Sequence, residues 1–322
     1  MPDTPNQKPM NPLGLRWRIL RGVVAFFLGV FLSFVIAWWI MIRMPGSSYA
    51  GPLPPTDAKL TALAEELRGD VAGLAVEIGP RNVRHHPKNL AKAADRIEAQ
   101  FKAAGYAVQR QEYEVDKQTC ANLEVEIPGL GHPEQIVIVG AHYDTAREAP
   151  GADDNTSGIA AVLALARRFA NTKPDCTLRF VAFVNEEPPY FQKDKMGSLV
   201  YAKRCRERKE NVVAMLSLEM LGYYRDEPNS QHYPPPFSYF YPSKGDFIAF
   251  IGNVSSRSLV HHAITTFRQN EKFPSEGAAM LESVRGVGFS DHWSFWQEGY
   301  SAVMVTDTAI CRSIQIAASS RE

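Results

Sequence analysis

The sequence predicts an α/β fold, with a mixed, mainly parallel sheet sandwiched by helices and preceded by one transmembrane helix. Three observations predict it. The short runs 136–139, 178–184, 212–218 and 302–305 are mostly apolar on both faces, as strands buried between helix layers are. Stretches with helical periodicity separate them, which is the pattern of an open sheet covered on both sides. Residues 22–42 form 21 consecutive positions without a charge, long enough to cross the ~30 Å hydrocarbon core as a helix.

The bulk composition is that of a folded chain. Apolar residues make up 45% and charged residues 22% of 322, an ordinary globular balance. Lys plus Arg and Asp plus Glu both number 35, so no excess charge points to nucleic acid. Cys120, Cys176, Cys205 and Cys311 lack CxxC spacing and read as free thiols, neither a disulfide framework nor a thiolate zinc site.

Lys8, Arg16, Arg18 and Arg21 precede the apolar span, and Arg43 alone follows it directly. The positive-inside bias therefore expects residues 1–21 in the cytoplasm and the rest outside, in the periplasm if the source is bacterial. Trp38 and Trp39 suit the outer interface. A core helix of this length would carry a polar face, and a cleaved signal peptide, with Ser48-Tyr49-Ala50 as its small-residue site, has a shorter apolar region of ~7–15 residues. An uncleaved anchor in the lipid bilayer is the expectation. Residues 43–56 are Pro-rich and read as an extended stalk. The outer domain is expected over 57–309.

Within it, 56–75 and 87–104 have helical periodicity, with Gly105 as a stop for the second. Runs 107–115 and 122–127 alternate with polar residues and read as an exposed or edge part of the sheet. A helix over 157–170 takes Asn155 or Thr156 as its cap. A further strand–helix step covers 247–251 and 256–269. The Pro- and Tyr-rich stretch 223–241 is expected to be a long surface loop rimming the site.

Chemistry collects where the buried strands end. Strand 136–139 runs into His142-Tyr143-Asp144, strand 178–184 into Glu186-Glu187, and strand 212–218 into Glu219. Asp153, Asp154 and Asn155 sit at the mouth of the intervening helix. Ligands bind outside the carboxyl ends of strands in such sheets, and one imidazole with several carboxylates is a zinc-type donor set. The competing reading, that these acidic residues cap a helix or are merely solvated, holds for each alone but not for the set; Asp153 keeps it. His85, His86, His232, His261 and His262 have no such context.

HYDT at 142–145, GADDNTSG at 151–158, NEE at 185–187, LEM at 218–220 and SDHWSF at 290–295 occur in that order. Together they resemble the co-catalytic zinc aminopeptidases of the bacterial leucyl aminopeptidase and aminopeptidase Y type. That family also contains carboxypeptidases and glutaminyl cyclases. The resemblance covers about residues 57–309 and implies a two-zinc exopeptidase acting on peptides outside the membrane. It implies that His142 and Glu219 bind one zinc, Asp154 bridges both, and Glu187 binds the second. Glu186 would be the general base, and Asp144 would hydrogen-bond His142 and fix its tautomer. Asp291 and His292 match a motif beside the metals without being ordinary ligands. Two ions ~3.5–4 Å apart suit peptide hydrolysis because they activate water and stabilise the oxyanion.

In one respect the sequence departs from the family. Family members supply a second-zinc histidine in an Asn-Pro-x-x-His-Thr segment after the last buried strand, whereas no histidine follows His292 here. Residues 310–322 read as an altered or truncated terminus, which leaves the second zinc one ligand short and activity reduced. Glutaminyl cyclase, carboxypeptidase and a non-catalytic peptidase-like ectodomain are the alternatives. Aromatics of 223–241, with Trp293 and Trp296, are candidates for a hydrophobic substrate pocket, with core packing equally open to the tryptophans.

Overall fold

The computed structural model describes residues 12–233 and 235–307; the segment 310–322 lies outside them. Helix α1 (Pro12–Met41) is followed by α2 (Ala58–Val71) and α3 (Pro87–Ala103). Then come β1 (Gln109–Val115), β2 (Gln118–Ile127), β3 (His132–His142), α4 (Gly158–Phe169), β4 (Cys176–Phe183), α5 (Gly197–Glu207) and β5 (Asn211–Glu219). The chain closes with β6 (Ile248–Asn253), α6 (Arg257–Asn270), β7 (Ser275–Met280), α7 (His292–Gln297) and β8 (Ala302–Thr306). Of these, α5, β7 and α7 have no counterpart in the sequence reading.

One eight-stranded sheet runs in the order β1-β2-β4-β3-β5-β8-β6-β7. The centre, β4-β3-β5-β8, is parallel. The flanking β1-β2 and β2-β4 pairs, and the β8-β6 pair, are antiparallel. Alternation along β4 divides the core. Phe180, Ala182 and the following Val184 pack with Leu90, Ile97, Phe101, Ile159 and Leu163 on one face. Val181 and Phe183 pack with Tyr201, Cys205, Phe295 and Trp296 on the other. Trp296 is therefore a core residue, its indole N–H donating to Ala302 O at 2.9 Å. Helix α3 starts on Pro87 after His86 and stops at Gly105, whose φ of +92° needs glycine.

Strand β2 corrects one expectation. Its polar alternation points to an edge, yet β1 takes the edge and β2 lies inside it. Its polar side chains are buried because each has partners. Glu124 accepts from Tyr201 Oη at 2.7 Å and pairs with Arg179 and Arg204. The Asn122 amide bonds Val184 N, Gly197 O and Gln111. Satisfied polar groups can enter a core that bare ones cannot.

Helix α1 includes a candidate membrane span, Arg16–Met41, whose most apolar stretch has a mean hydropathy of 2.5 and nothing buried against the domain. The end of α1 and the first residues after it are tied to the domain. Arg257 Nε donates to Ile40 O and Arg268 Nη1 to Pro45 O, each at 2.8 Å. Ser275 N donates to Ser48 Oγ at 2.9 Å. Cys120 and Cys205 are buried free thiols and Cys176 is a half-buried one; Cys311 lies outside the described residues.

Candidate metal centre

The parallel register delivers the site. His142 ends β3, Glu219 ends β5, and Glu186 lies three residues beyond β4. A kinked turn, Ala152–Ser157, whose Asp154 and Asn155 leave helical geometry, carries Asp154 to the same rim. That turn starts on Gly151 at φ +64°, where a Cβ would lie 2.3 Å from Thr145 Cγ2 and 2.4 Å from Asp154 O. Glycine is required there for both conformation and space. The Asp154–Asn155 peptide is cis.

His142, Asp154 and Glu219 each offer a donor atom within 4.8 Å of the others, a group that could hold a metal ion. His142 Nε2 lies 3.3 Å from Asp154 Oδ1, 3.5 Å from Glu219 Oε2 and 3.8 Å from Glu186 Oε2. One neutral imidazole and two carboxylates are three protein donors of the types that bind catalytic zinc. Burial alone would lower the His142 pKa, but Glu219, Glu186, Asp144 and Asp154 outweigh it and hold it well above its usual value. Burial raises the Glu186 carboxyl far above the carboxylate range; His142 opposes this, while Glu187, Glu219 and Asp291 add to it. Burial, then Asp154, raises Glu187 to about 8. Buried carboxylates crowded this way repel one another, and a divalent cation would relieve that repulsion while releasing their protons. The donor set fits zinc.

The strand does not continue into Glu186-Glu187. Asn185 has φ +61° and turns the chain. The Asp144 carboxylate accepts from Glu186 N at 3.0 Å and Glu187 N at 3.1 Å, fixing both glutamates. Its expected bond to His142 takes another form: Nδ1 is 3.2 Å from the Asp144 backbone O and 3.5 Å from the carboxylate. Asp153 Oδ1 accepts from Gly222 N at 2.9 Å. The capping role falls to Asn155, which accepts from Gly158 N at 3.1 Å.

Glu187 and Asp144 face a cavity of about 170 Å³ that Asn185, Arg84 and Tyr190 also line. Tyr233, Phe237 and Tyr241 line a different, more apolar cavity of about 100 Å³. Asp291 is fully buried and its carboxylate has no hydrogen-bond partner among the described residues. Burial pushes it up to about 7, with His142 pulling the other way. His292 stands outside the metal-capable group: its Nε2 lies 2.7 Å from Val287 O and its ring packs edge-on against Trp296.

Three supporting roles escape a reading of the sequence. Arg81 is fully buried and donates to Tyr143 O at 2.6 Å, Pro150 O at 2.8 Å and Thr156 Oγ1 at 2.5 Å. It thereby ties the His142 turn to the Asp154 turn, and nothing local marks it. Asn155 Nδ2 at 3.2 Å and Ser290 Oγ at 2.7 Å both donate to Glu219 Oε2. Their signal is their place within GADDNTSG and SDHWSF.

A doubly covered α/β sheet with an imidazole–carboxylate cluster at the strand ends defines the class as metallohydrolase-like. The chain matches peptidase family M28 over residues 122–315 and belongs to it. It is 32% identical to the uncharacterized protein YfbL of Escherichia coli over 297 residues, 89% of this chain and 90% of that one. It is 30% identical to leupeptin-inactivating enzyme 1 of Streptomyces exfoliatus over 222 residues, 66% of this chain but 48% of the relative. Probable zinc metalloproteases of Pyrenophora match over 22–24% of their length. The fold is similar to that of the Bacillus subtilis zinc aminopeptidase BSAP, with a TM-score of 0.60 at 15% identity, covering 76% and 84% of the two chains. It is also similar to Fimbriiglobus ruber glutaminyl cyclase, with a TM-score of 0.55 at 21% identity, covering 80% and 86%.

Proposed function

We propose that the protein is a zinc-dependent aminopeptidase that removes N-terminal residues from peptides on the outer side of a membrane anchored by α1. The observation that carries this reading is the convergence of His142, Asp154 and Glu219 with Glu186 poised 3.8 Å from His142 Nε2. His142, Asp154 and Glu219 would hold the first zinc. Asp154 and Glu187 would hold a second ion, Glu187 standing outside the group that His142, Asp154 and Glu219 form. Zinc supplies Lewis-acid polarisation of the scissile carbonyl and acidifies water.

The chain's own groups do the rest. Glu186 takes a proton from the attacking water and passes it to the departing amine, the role of a carboxylate within reach of the reacting atoms. Asp144 holds Glu186 in place through its backbone N–H. The cavity wall formed by Asp144 and Glu187 suits a free α-ammonium, and Arg84 and Arg147 line the same cavity.

The test is mass-spectrometric analysis of mixed peptides incubated with the full-length protein in detergent at saturating zinc. Stepwise loss of N-terminal residues is expected. Release of ammonia from N-terminal Gln alone would identify a cyclase, and loss from the carboxyl end a carboxypeptidase. No product from folded, zinc-loaded protein would refute a catalytic role.

A further inference from the structure

We propose that the exposed tip of the 225–245 excursion, around Tyr239, inserts into the outer leaflet of the bilayer and seats the domain with its metal rim facing away from the lipid. The inference rests on the reading that α1 crosses a bilayer. Both ends of the excursion lie at the rim: Met220 follows β5, and Ile248 begins β6 beside the carboxyl end of β8. The base is closed by Arg225 N donating to Gly245 O at 2.7 Å, and by Gln231 N donating to Ser243 O at 3.0 Å. The tip leaves the rim and runs down the flank of the sheet to the anchor. Tyr241 Oη donates to Gly277 O at 3.1 Å, and the Phe240 ring stands 6.3 Å from the Phe34 ring.

Phe34 lies seven residues inside the end of α1, about 10 Å below it at 1.5 Å per residue. A loop touching Phe34 must therefore enter the leaflet that α1 leaves. Its composition suits that place. Residues 228–243 hold no Asp, Glu, Lys or Arg, and Tyr239 at the tip is 85% exposed. Aromatic side chains with polar ends favour the membrane interface, and monotopic elements enter it by ~5–10 Å.

The strand register fixes the orientation. The chain leaving α1 passes Met44 beside Gly277 and then Ser48 beside Ser275, running toward the amino end of β7. That end is level with Thr306 and, through the β5–β8 pairing, with Glu219. The metal rim thus lies beyond the Met44 contact on the side away from the lipid, by two strand residues or ~7 Å. The site opens to water, and its substrates are soluble peptides.

The test uses the full chain in phosphatidylcholine–phosphatidylglycerol vesicles, with an environment-sensitive fluorophore on Tyr239→Cys or on the exposed loop-base control Asp226→Cys. The unmutated chain labelled in parallel supplies the background to subtract. Shallow nitroxide lipids are expected to quench the label at 239 about twofold or more beyond that at 226, as insertion by ~5–10 Å requires. Equal quenching at the two positions, in protein that resists alkaline extraction, would overturn the loop seat and leave the span intact. A blue-shifted but unquenched label would show that protein, such as a second copy, covers the tip, and would also overturn it. Release of the protein by alkali would sink the spanning helix and the seat together.

Discussion

Replacing Glu186 with Gln separates the proposed base from the metal donors. The carboxyl is 6% exposed, its Oε2 is 3.8 Å from His142 Nε2, and its backbone N–H is held by Asp144. Gln keeps the shape and loses the proton-accepting oxygen. A positioned general base contributes roughly 10²–10⁴ in rate, so Glu186→Gln should cost about 2.7–5.4 kcal/mol of transition-state stabilisation. Zinc affinity should stay within about threefold, ~0.7 kcal/mol, because His142, Asp154 and Glu219 are untouched. The zinc-free protein should become more stable, because burial and the neighbouring carboxylates already penalise a charge at 186. The assays are residue release by mass spectrometry, zinc titration by calorimetry, and urea unfolding in chelator. Activity within tenfold of wild type would place the base elsewhere. A loss of zinc affinity comparable to that of Glu219→Gln would make Glu186 a ligand and refute its role as a free base.

Three further outcomes are expected. Zinc at a hundredfold its dissociation constant should stabilise the protein by ~2.7 kcal/mol, roughly 5–10 °C in Tm for a domain of this size, and Glu219→Gln should remove most of the shift; a melt indifferent to chelator would contradict the metal centre. Gly151→Ala should cost about 1–3 kcal/mol in urea unfolding, because a Cβ at φ +64° meets Thr145 and the Asp154 carbonyl, and a loss under about 0.5 kcal/mol would show that the turn yields. Burial lowers the His292 pKa from 6.5 to about 4, so its neutral form is stabilising above pH 6.5 and the folded state loses ground as pH falls from there toward 4. Relative to His292→Asn, the wild type should lose about 3 kcal/mol across that interval, and parallel stability curves would show that the ring is not held neutral.

Much of the site was legible because covalent adjacency fixes it. A parallel strand buried on both faces must be apolar, so the polar residue that ends it stands out; His142, Glu186 and Glu219 were visible for that reason. The second face of the same rule hid β2, whose charges are tolerated inside because Arg179 and Arg204 come from elements 53 or more positions away. Short β7, with Gly and Ala through its middle, has no period to read. The sequence by itself determined the fold class, the apolar span and the candidate donor residues, since these follow from local patterns of hydrophobicity and charge. Only the tertiary structure decided which donors meet. It also turned Asp144 from a partner of one histidine into the clamp on two glutamates, placed Arg81 behind the cluster, and brought Phe240 against Phe34 across some two hundred residues. Those contacts arise from strand order and register, which long-range pairing sets and no local segment encodes.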